Sequence, residues 1–353
     1  MKICVYAICK NEEKFVDRWV KSMKEADDIY VLDTGSTDNT VEKLKEKNVH
    51  VKKELIVPWR FDVARNKSLE MIKDDYDIYV CTDLDEVFNE NWRKILEDNW
   101  LENTTRARYT YNWKLKNNKP LVSFYSDKIH TKGYTWKYPV HEVLECSFKE
   151  NYVTLSNIIL NHYPDTSKSR ASYLPLLELS VKENPTDDRN MHYLGREYMY
   201  YGKWNKCIDT LIKHLSLKSA NWADERCASM RFIARSYKNL NRYEEAKMWL
   251  IKAIDEAPYL RDAYIELGIL EYEYNHFDKA SYYIEEGLKI KEHIKTYINE
   301  TFCWDETPYD ILSVCYYNLN DLNKSLENIE NALKINPKNK RIKNNKKIIE
   351  NLK

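Results

Sequence analysis

The chain of 353 residues is long enough for two domains, each with its own core, and 56 Lys plus Arg against 56 Asp plus Glu leave no net charge at neutral pH. That balance excludes a global field that would draw the protein to nucleic acid or anionic lipid, so phosphate binding has to come from a local site. No apolar run approaches the ~18 residues of a membrane span, MKICVYAIC runs into KNEEK without a small-residue cleavage site, and eight scattered cysteines include no C-x-x-C pair; a soluble, unexported, cytoplasmic protein with reduced thiols is expected.

In chain order, KICVYAIC (Lys2 to Cys9) predicts a fully buried strand. Glu12 to Lys24 predicts a helix, with Phe15, Trp19, Val20 and Met23 at helical spacing. DIYVLD (Asp28 to Asp33) is a second strand that stops at the turn cluster TGSTDNT, where Thr37 or Asp38 can cap a helix over Thr40 to Lys47. VHVKKEL is a third short strand, Ala64 to Ile72 a helix and YDIYVCTD a fourth strand. Strands alternating with helices predict an α/β, Rossmann-like, mainly parallel sheet with helices on both faces, whose ligands sit at the carboxyl ends of the strands.

Beyond about Tyr163 strands vanish and helical periodicity runs to the end of the sequence. Small positions recur at Cys207, Ala246, Ala280 and Ser325, spaced by 39, 34 and 45 residues, and Pro258 and Pro337 each follow such a position by 12 residues. The pattern resembles tetratricopeptide repeats, helix pairs of ~34 residues in which the small residue lets the helices approach and the proline ends the second one. An all-α solenoid is expected, with Lys338 to Lys353 as a polar capping helix. The predicted domains are 1–165 and 166–353.

Behind the run Ile78 to Cys81 stands Asp83-Leu84-Asp85. On extended backbone side chains at i and i+2 point the same way, so Asp83 and Asp85 are expected to emerge together while Leu84 turns into the core. Two adjacent carboxylates repel unless a cation lies between them, and Mg²⁺ or Mn²⁺ takes one or two carboxylates, with phosphate oxygens and water completing the shell. The alternative is an acidic turn capping a helix over Glu90 to Glu97.

Four pieces in order, Asn11-Glu12 after the first strand, Asp33 with Ser36, Thr37 and Asp38, Phe61 to Asn66 (F-x-x-A-R-N) and Asp83 to Glu86 (D-x-D-E), resemble the inverting family 2 glycosyltransferases of the GT-A fold, in particular bacterial members with a tetratricopeptide tail. The resemblance implies a UDP-sugar donor and a bound Mn²⁺ or Mg²⁺. It puts Asp33 on the base or ribose, Ala7 and Glu12 near the uracil slot and Arg65 on the diphosphate. Asn66 positions the loop, and Asn11, Ser36, Asp83 and Leu84 complete the donor side. Asp85 and Asp83 become metal ligands, joined by His162. Glu142 is implied as the base that takes the acceptor proton, with His141 beside it as the alternative, its unperturbed pKa suiting the task.

A Q-x-x-R-W segment, typical of processive polymerases, is missing, which argues against polysaccharide synthesis. The expected acceptor is a peptide or protein, with a surface glycan as the alternative, and the repeats could also form a homodimer. Two other classes compete. One is a repeat scaffold with a relic nucleotide-binding domain, and the other a nucleotidyltransferase, which the absence of any G-x-G speaks against.

Overall fold

In a computed structural model, which describes residues 1–167, 171–294 and 296–352, the apolar run near the start forms β1 (Ile3–Cys9), all seven of whose residues are buried. Both faces of this strand need cover, because its side chains alternate between them. Ile3, Val5, Ala7 and Cys9 enter one core with Phe15, Trp19, Leu44, Trp92 and Leu96. Cys4 and Tyr6 enter another with Tyr79, Tyr134 and Trp136. The first unit of the chain comprises Met1–Ser180 and also takes in Tyr297, and the second begins at Val181.

After β1 come α1 (Val16–Met23), β2 (Asp28–Asp33), α2 (Thr40–Glu46), β3 (His50–Lys53), α3 (Phe61–Glu70), β4 (Ile78–Cys81), β5 (Glu86–Phe88), α4 (Trp92–Asn99), β6 (Arg106–Lys116), β7 (Lys119–His130), β8 (Thr135–Lys137), β9 (Val143–Glu145) and β10 (Tyr152–His162). Eight of the strands form one mixed sheet in the order β3-β2-β1-β4-β7-β6-β10-β5, while β8 and β9 pair separately. The pairs β3/β2, β2/β1, β1/β4 and β6/β10 are parallel. The long hairpin β6/β7 is antiparallel, and Asn117 and Asn118, both at positive φ, make its turn.

Two expectations about local structure need correction. The first helix begins at Val16 rather than Glu12, because Asn11 takes positive φ and a separate turn, closed by Phe15 N–H donating to Glu12 O at 2.9 Å, precedes it. The N–H groups of Glu12 and Glu13 meanwhile bond Thr40 Oγ1 (2.8 Å) and Asp38 Oδ2 (3.2 Å). The Asp83-Leu84-Asp85 segment is a turn rather than extended strand, closed by Glu86 N–H donating to Asp83 O at 3.0 Å, and a strand follows it rather than a helix.

Among the described residues of the second half the elements are helices: α5 (Tyr173–Glu183), α6 (Asp188–Tyr200), α7 (Trp204–Ser216), α8 (Ala223–Asn239), α9 (Tyr243–Glu256), α10 (Arg261–Glu273), α11 (Phe277–Lys289), α12 (Thr307–Asn318), α13 (Leu322–Ile335) and α14 (Lys340–Glu350), with a short 3₁₀ turn at Thr301–Cys303. Cys207, Ala246, Ala280 and Ser325 lie fully buried on the second helix of the pairs α6/α7, α8/α9, α10/α11 and α12/α13. Close approach is the reason for small residues. A Cβ on Gly268 of α10 would come within 2.4 Å of Ile284 Cγ1 and 3.1 Å of the Ala280 carbonyl oxygen on α11. The long 280-to-325 interval holds the connection 290–306. Pro258 and Pro337 fall just past the ends of α9 and α13. In the basic tail, α14 buries Ile342 and Ile349 and leaves its lysines on the surface; Lys353 lies outside the described residues. Among the described residues no helix is long and apolar enough to cross a membrane.

Candidate functional site

β1, β2 and β4 run parallel and end at one edge of the sheet, so the segments that leave them meet there. On the β4 turn Leu84 is buried, as expected. The two carboxylates beside it do not share a partner: Asp83 Oδ1 accepts from Arg65 Nη2 at 2.5 Å and its Oδ2 lies 3.5 Å from Lys128 Nζ, whereas Asp85 Oδ2 lies 3.2 Å from His162 Nε2. Turn dihedrals cause the divergence, since the i/i+2 rule holds only on extended backbone.

Arg65, on the inner side of α3, is 2% exposed. Its guanidinium joins three segments, donating from Nε to Glu142 Oε1 at 3.1 Å, from Nη1 to Thr82 O at 3.4 Å and from Nη2 to Asp83. It does not pair along its own helix; Arg60 takes Asp62, at 2.9 Å. Asn66 clamps β8 from the same helix, its amide bonding both the N–H and the C=O of Trp136 at 2.8 Å. Desolvation would raise the Asp83 carboxyl, but Arg65 and then Lys128 overcome it and hold the group well below the usual carboxylate range. Burial likewise opposes charge on Lys128, yet Asp83 and Glu86 keep its ammonium protonated far above the ordinary lysine range.

His162 ends β10, next to the edge strand β5. Its Nδ1 contacts the Trp113 carbonyl at 3.0 Å, and a carbonyl can only accept, so the proton sits on Nδ1. Nε2 is thereby turned towards Asp85. With a lone pair on Nε2 the two groups would repel, so the contact requires either a second proton on the imidazole or a cation shared with Asp85. Burial lowers the proton affinity of His162, but its bond to Asp85 raises it further, for a net upward shift. Trp113 stacks on the His162 ring with centroids 4.5 Å apart and stays 43% exposed.

At this edge Arg65, Lys128 and Arg18 face the carboxylates of Asp83, Asp85, Glu86 and Glu142; Asp85 contacts the His162 imidazole directly and acts on Arg18 only at longer range. A pyrophosphate would add negative charge here, and the donor set of Asp85 carboxylate and His162 Nε2 fits a divalent cation, the group that would offset it.

At the β2 exit the pattern is structural. Asp33 is fully buried, and its carboxylate accepts from the backbone N–H of Gly35 (3.2 Å) and Ser36 (3.1 Å), with Cys9 Sγ 3.5 Å away. Asn11, at positive φ, accepts from Thr37 N–H at 2.7 Å and donates its own N–H to Ser36 Oγ at 2.8 Å. These bonds latch the loops after β1 and β2 to one another. Ala7 lies in the core of β1 rather than at the rim.

Residues 4–148 match the sequence model of the glycosyl transferase family 2, and residues 232–259 and 308–339 match that of the tetratricopeptide repeat. The first unit carries a family 2 glycosyltransferase domain. Repeats of the tetratricopeptide family follow it. Solved structures similar to the chain include MamA (19% identity, covering 50% of this chain and 97% of that one, TM-score 0.39). Others are a thermophilic tetratricopeptide protein of Thermus thermophilus (16%, 51% and 89%, 0.37) and MamA 41-end of Desulfovibrio magneticus RS-1 (12%, 48% and 87%, 0.39). No curated protein matches the chain.

Arg65, Asp83 and Glu142 thus form one bonded group and Asp85 and His162 another, the two meeting at the turn after β4. His141, at positive φ, precedes Glu142 and packs edge-on to Tyr173, ring centroids 5.8 Å apart. Glu12 lies at the latched loops, beside Thr40. Sequence reasoning missed Lys128, Glu86 and Trp113. Lys128 and Trp113 sit on the β6/β7 hairpin, which the Asn117-Asn118 turn between two alternating runs could have disclosed. Glu86 belongs to the D-x-D-E motif but is buried, its carboxylate accepting the Asp83 N–H at 2.8 Å.

Proposed function

We propose that the chain transfers a single hexose, with inversion, from a UDP-sugar to a peptide or protein acceptor, using Mn²⁺ or Mg²⁺. The observation that carries this reading is the Asp85–His162 pair, whose Nδ1–Trp113 bond leaves Nε2 facing a carboxylate at the end of β4. When bound, the cation neutralises charge on the departing diphosphate.

Around it, Asp85 and His162 are the metal ligands and Asp83, held by Arg65 and Lys128, borders the donor. Arg65, buried and paired with both, fixes Glu142 and Asp83 in one frame rather than meeting the diphosphate itself. Glu142 takes the acceptor proton, with His141 shaping the same loop. The latched segment of Asn11, Glu12, Asp33 and Ser36 forms the nucleotide side. Residues 1–165 do the chemistry and 166–353 recognise the acceptor. A cavity of about 500 Å³ within the repeats, lined among others by Tyr200, Trp204, Ile269, Leu270 and Phe302, supports a peptide acceptor, because it offers aromatic and aliphatic faces. All eight cysteines are unpaired, in keeping with a cytoplasmic enzyme.

A thermal-shift panel of nucleotide sugars with and without Mn²⁺ tests the reading. Stabilisation by one UDP-sugar, only when metal is present, is expected. Equal stabilisation by all nucleotides without metal would contradict it.

A further inference from the structure

A second group of metal-ligating side chains lies in the repeats, in the second unit of the chain. His192 on α6, His214 on α7 and Glu225 on α8 each offer a ligand atom, and the three atoms lie within 4.8 Å of one another. Both histidines are fully buried and Glu225 is 5% exposed. One hydroxyl holds both rings: Ser229 Oγ, also on α8, lies 2.7 Å from His192 Nδ1 and 3.0 Å from His214 Nδ1.

A serine oxygen has two lone pairs. If each imidazole donates its Nδ1–H to Ser229, whose own O–H then points away from both rings, both Nε2 atoms become lone-pair donors to the same region. Neither Nε2 has a hydrogen-bond partner among the described residues, although His214 Nε2 stands 3.4 Å from Glu225 Oε1. A buried ring nitrogen left without a partner is destabilising, and a ligand between the two rings would remove that cost. Of the nearby guanidinium groups, Arg231 pairs with Glu266 at 2.7 Å and Arg196 lies over the Tyr193 ring at 4.7 Å.

A Ser-His-Glu hydrolytic reading of the same residues fails, because a fully buried Ser229 and His214 cannot meet a substrate. We propose that His192, His214 and Glu225 form a structural metal site of the zinc class that ties α6, α7 and α8 together. Two imidazoles and one carboxylate suit Zn²⁺ or Co²⁺, with water as the fourth ligand, and disfavour Mn²⁺ and Mg²⁺, which prefer oxygen. Binding is expected to draw the ligand atoms from their present spacing towards the ~2.0–2.2 Å metal–ligand distances of zinc.

The test uses the full chain without a histidine tag, carrying Asp85→Asn so that the proposed catalytic site does not contribute. Metal-stripped protein is titrated with Zn²⁺ by calorimetry and with Co²⁺ by visible absorption. One equivalent of Zn²⁺, a tetrahedral Co²⁺ spectrum and a raised melting temperature are expected. Adding His192→Gln and His214→Gln should abolish all three, and Glu225→Gln should weaken Zn²⁺ at least about tenfold. No Zn²⁺ bound by the Asp85→Asn chain would overturn the proposal, as would one equivalent surviving the paired histidine changes. If the paired change unfolds the chain, Glu225→Gln decides, and unaltered Zn²⁺ affinity there would also overturn it.

Discussion

In the repeats, Arg231 and Arg235 lie against Glu266 at 2.7 and 2.8 Å, and Arg235 reaches Glu300 at 2.6 Å. Arg231 also approaches Asp262 at 3.6 Å and donates to the Ile298 carbonyl at 2.7 Å. At the carboxyl edge of the sheet, Arg65 and Lys128 are just as thoroughly paired, but the part-exposed Asp85 carboxylate touches only an imidazole among the described residues, with the Arg18 charge at longer range. Both regions bury arginines whose proton affinity rises because flanking carboxylates overcome desolvation. The lesson is that a buried charge does not mark a site by itself. Charge left over after local pairing does.

The largest effect should come from the unbalanced side. Asp85→Asn is expected to cut Mn²⁺-dependent turnover of the UDP-sugar by about three to four orders of magnitude, with circular dichroism unchanged; activity near the parent's would erase the distinction between the two regions. On the balanced side, Arg231→Met should lower stability by about 3–5 kcal/mol, read by denaturant unfolding, and leave UDP affinity as it was. A change in UDP binding of similar size would mean that the two regions are coupled.

How much of this was legible from sequence depended on the distance between partners. The small positions Cys207, Ala246, Ala280 and Ser325 repeat locally, and their burial follows from the helix pairing that the repeat implies. β1, β2 and β4 were readable because buried parallel strands are continuous apolar runs. The D-x-D motif was visible, but its geometry was not: the turn at Asp83 depends on β5 pairing with β10, about 75 residues away. Nor could any local pattern have matched Lys128 to Asp83 or opposed Asp85 to His162, because those contacts exist only after the sheet is assembled.

Glu142→Gln sharpens the comparison within the sheet edge. It keeps the shape of the group but removes the charge beside Arg65, and transfer should fall about a hundredfold while UDP affinity holds; weaker nucleotide binding with normal turnover would assign Glu142 to the donor instead. Acid probes the balanced network. Desolvation pushes the Glu266 carboxyl up, but Arg235 and Arg231 pull it down to about 2. A depressed carboxylate contributes stability that is present above its unfolded value of about 4.5 and lost as pH falls through about 2. Burial raises Asp262, which works in the opposite direction and offsets part of the loss. Unfolding followed by helical circular dichroism between pH 5 and pH 2 should therefore show the repeats losing on the order of 2 kcal/mol, and Glu266→Gln should flatten that slope.

The central claim, that the Asp85–His162 pair serves a cation which in turn holds a pyrophosphate, is tested most directly by titrating Mn²⁺ into the protein with UDP present and following the free-ion paramagnetic resonance signal. The account predicts one tightly held Mn²⁺ that disappears on Asp85→Asn and weakens about ten- to a hundredfold on His162→Ala. Undiminished Mn²⁺ binding in both variants, or none in the parent chain, would contradict it.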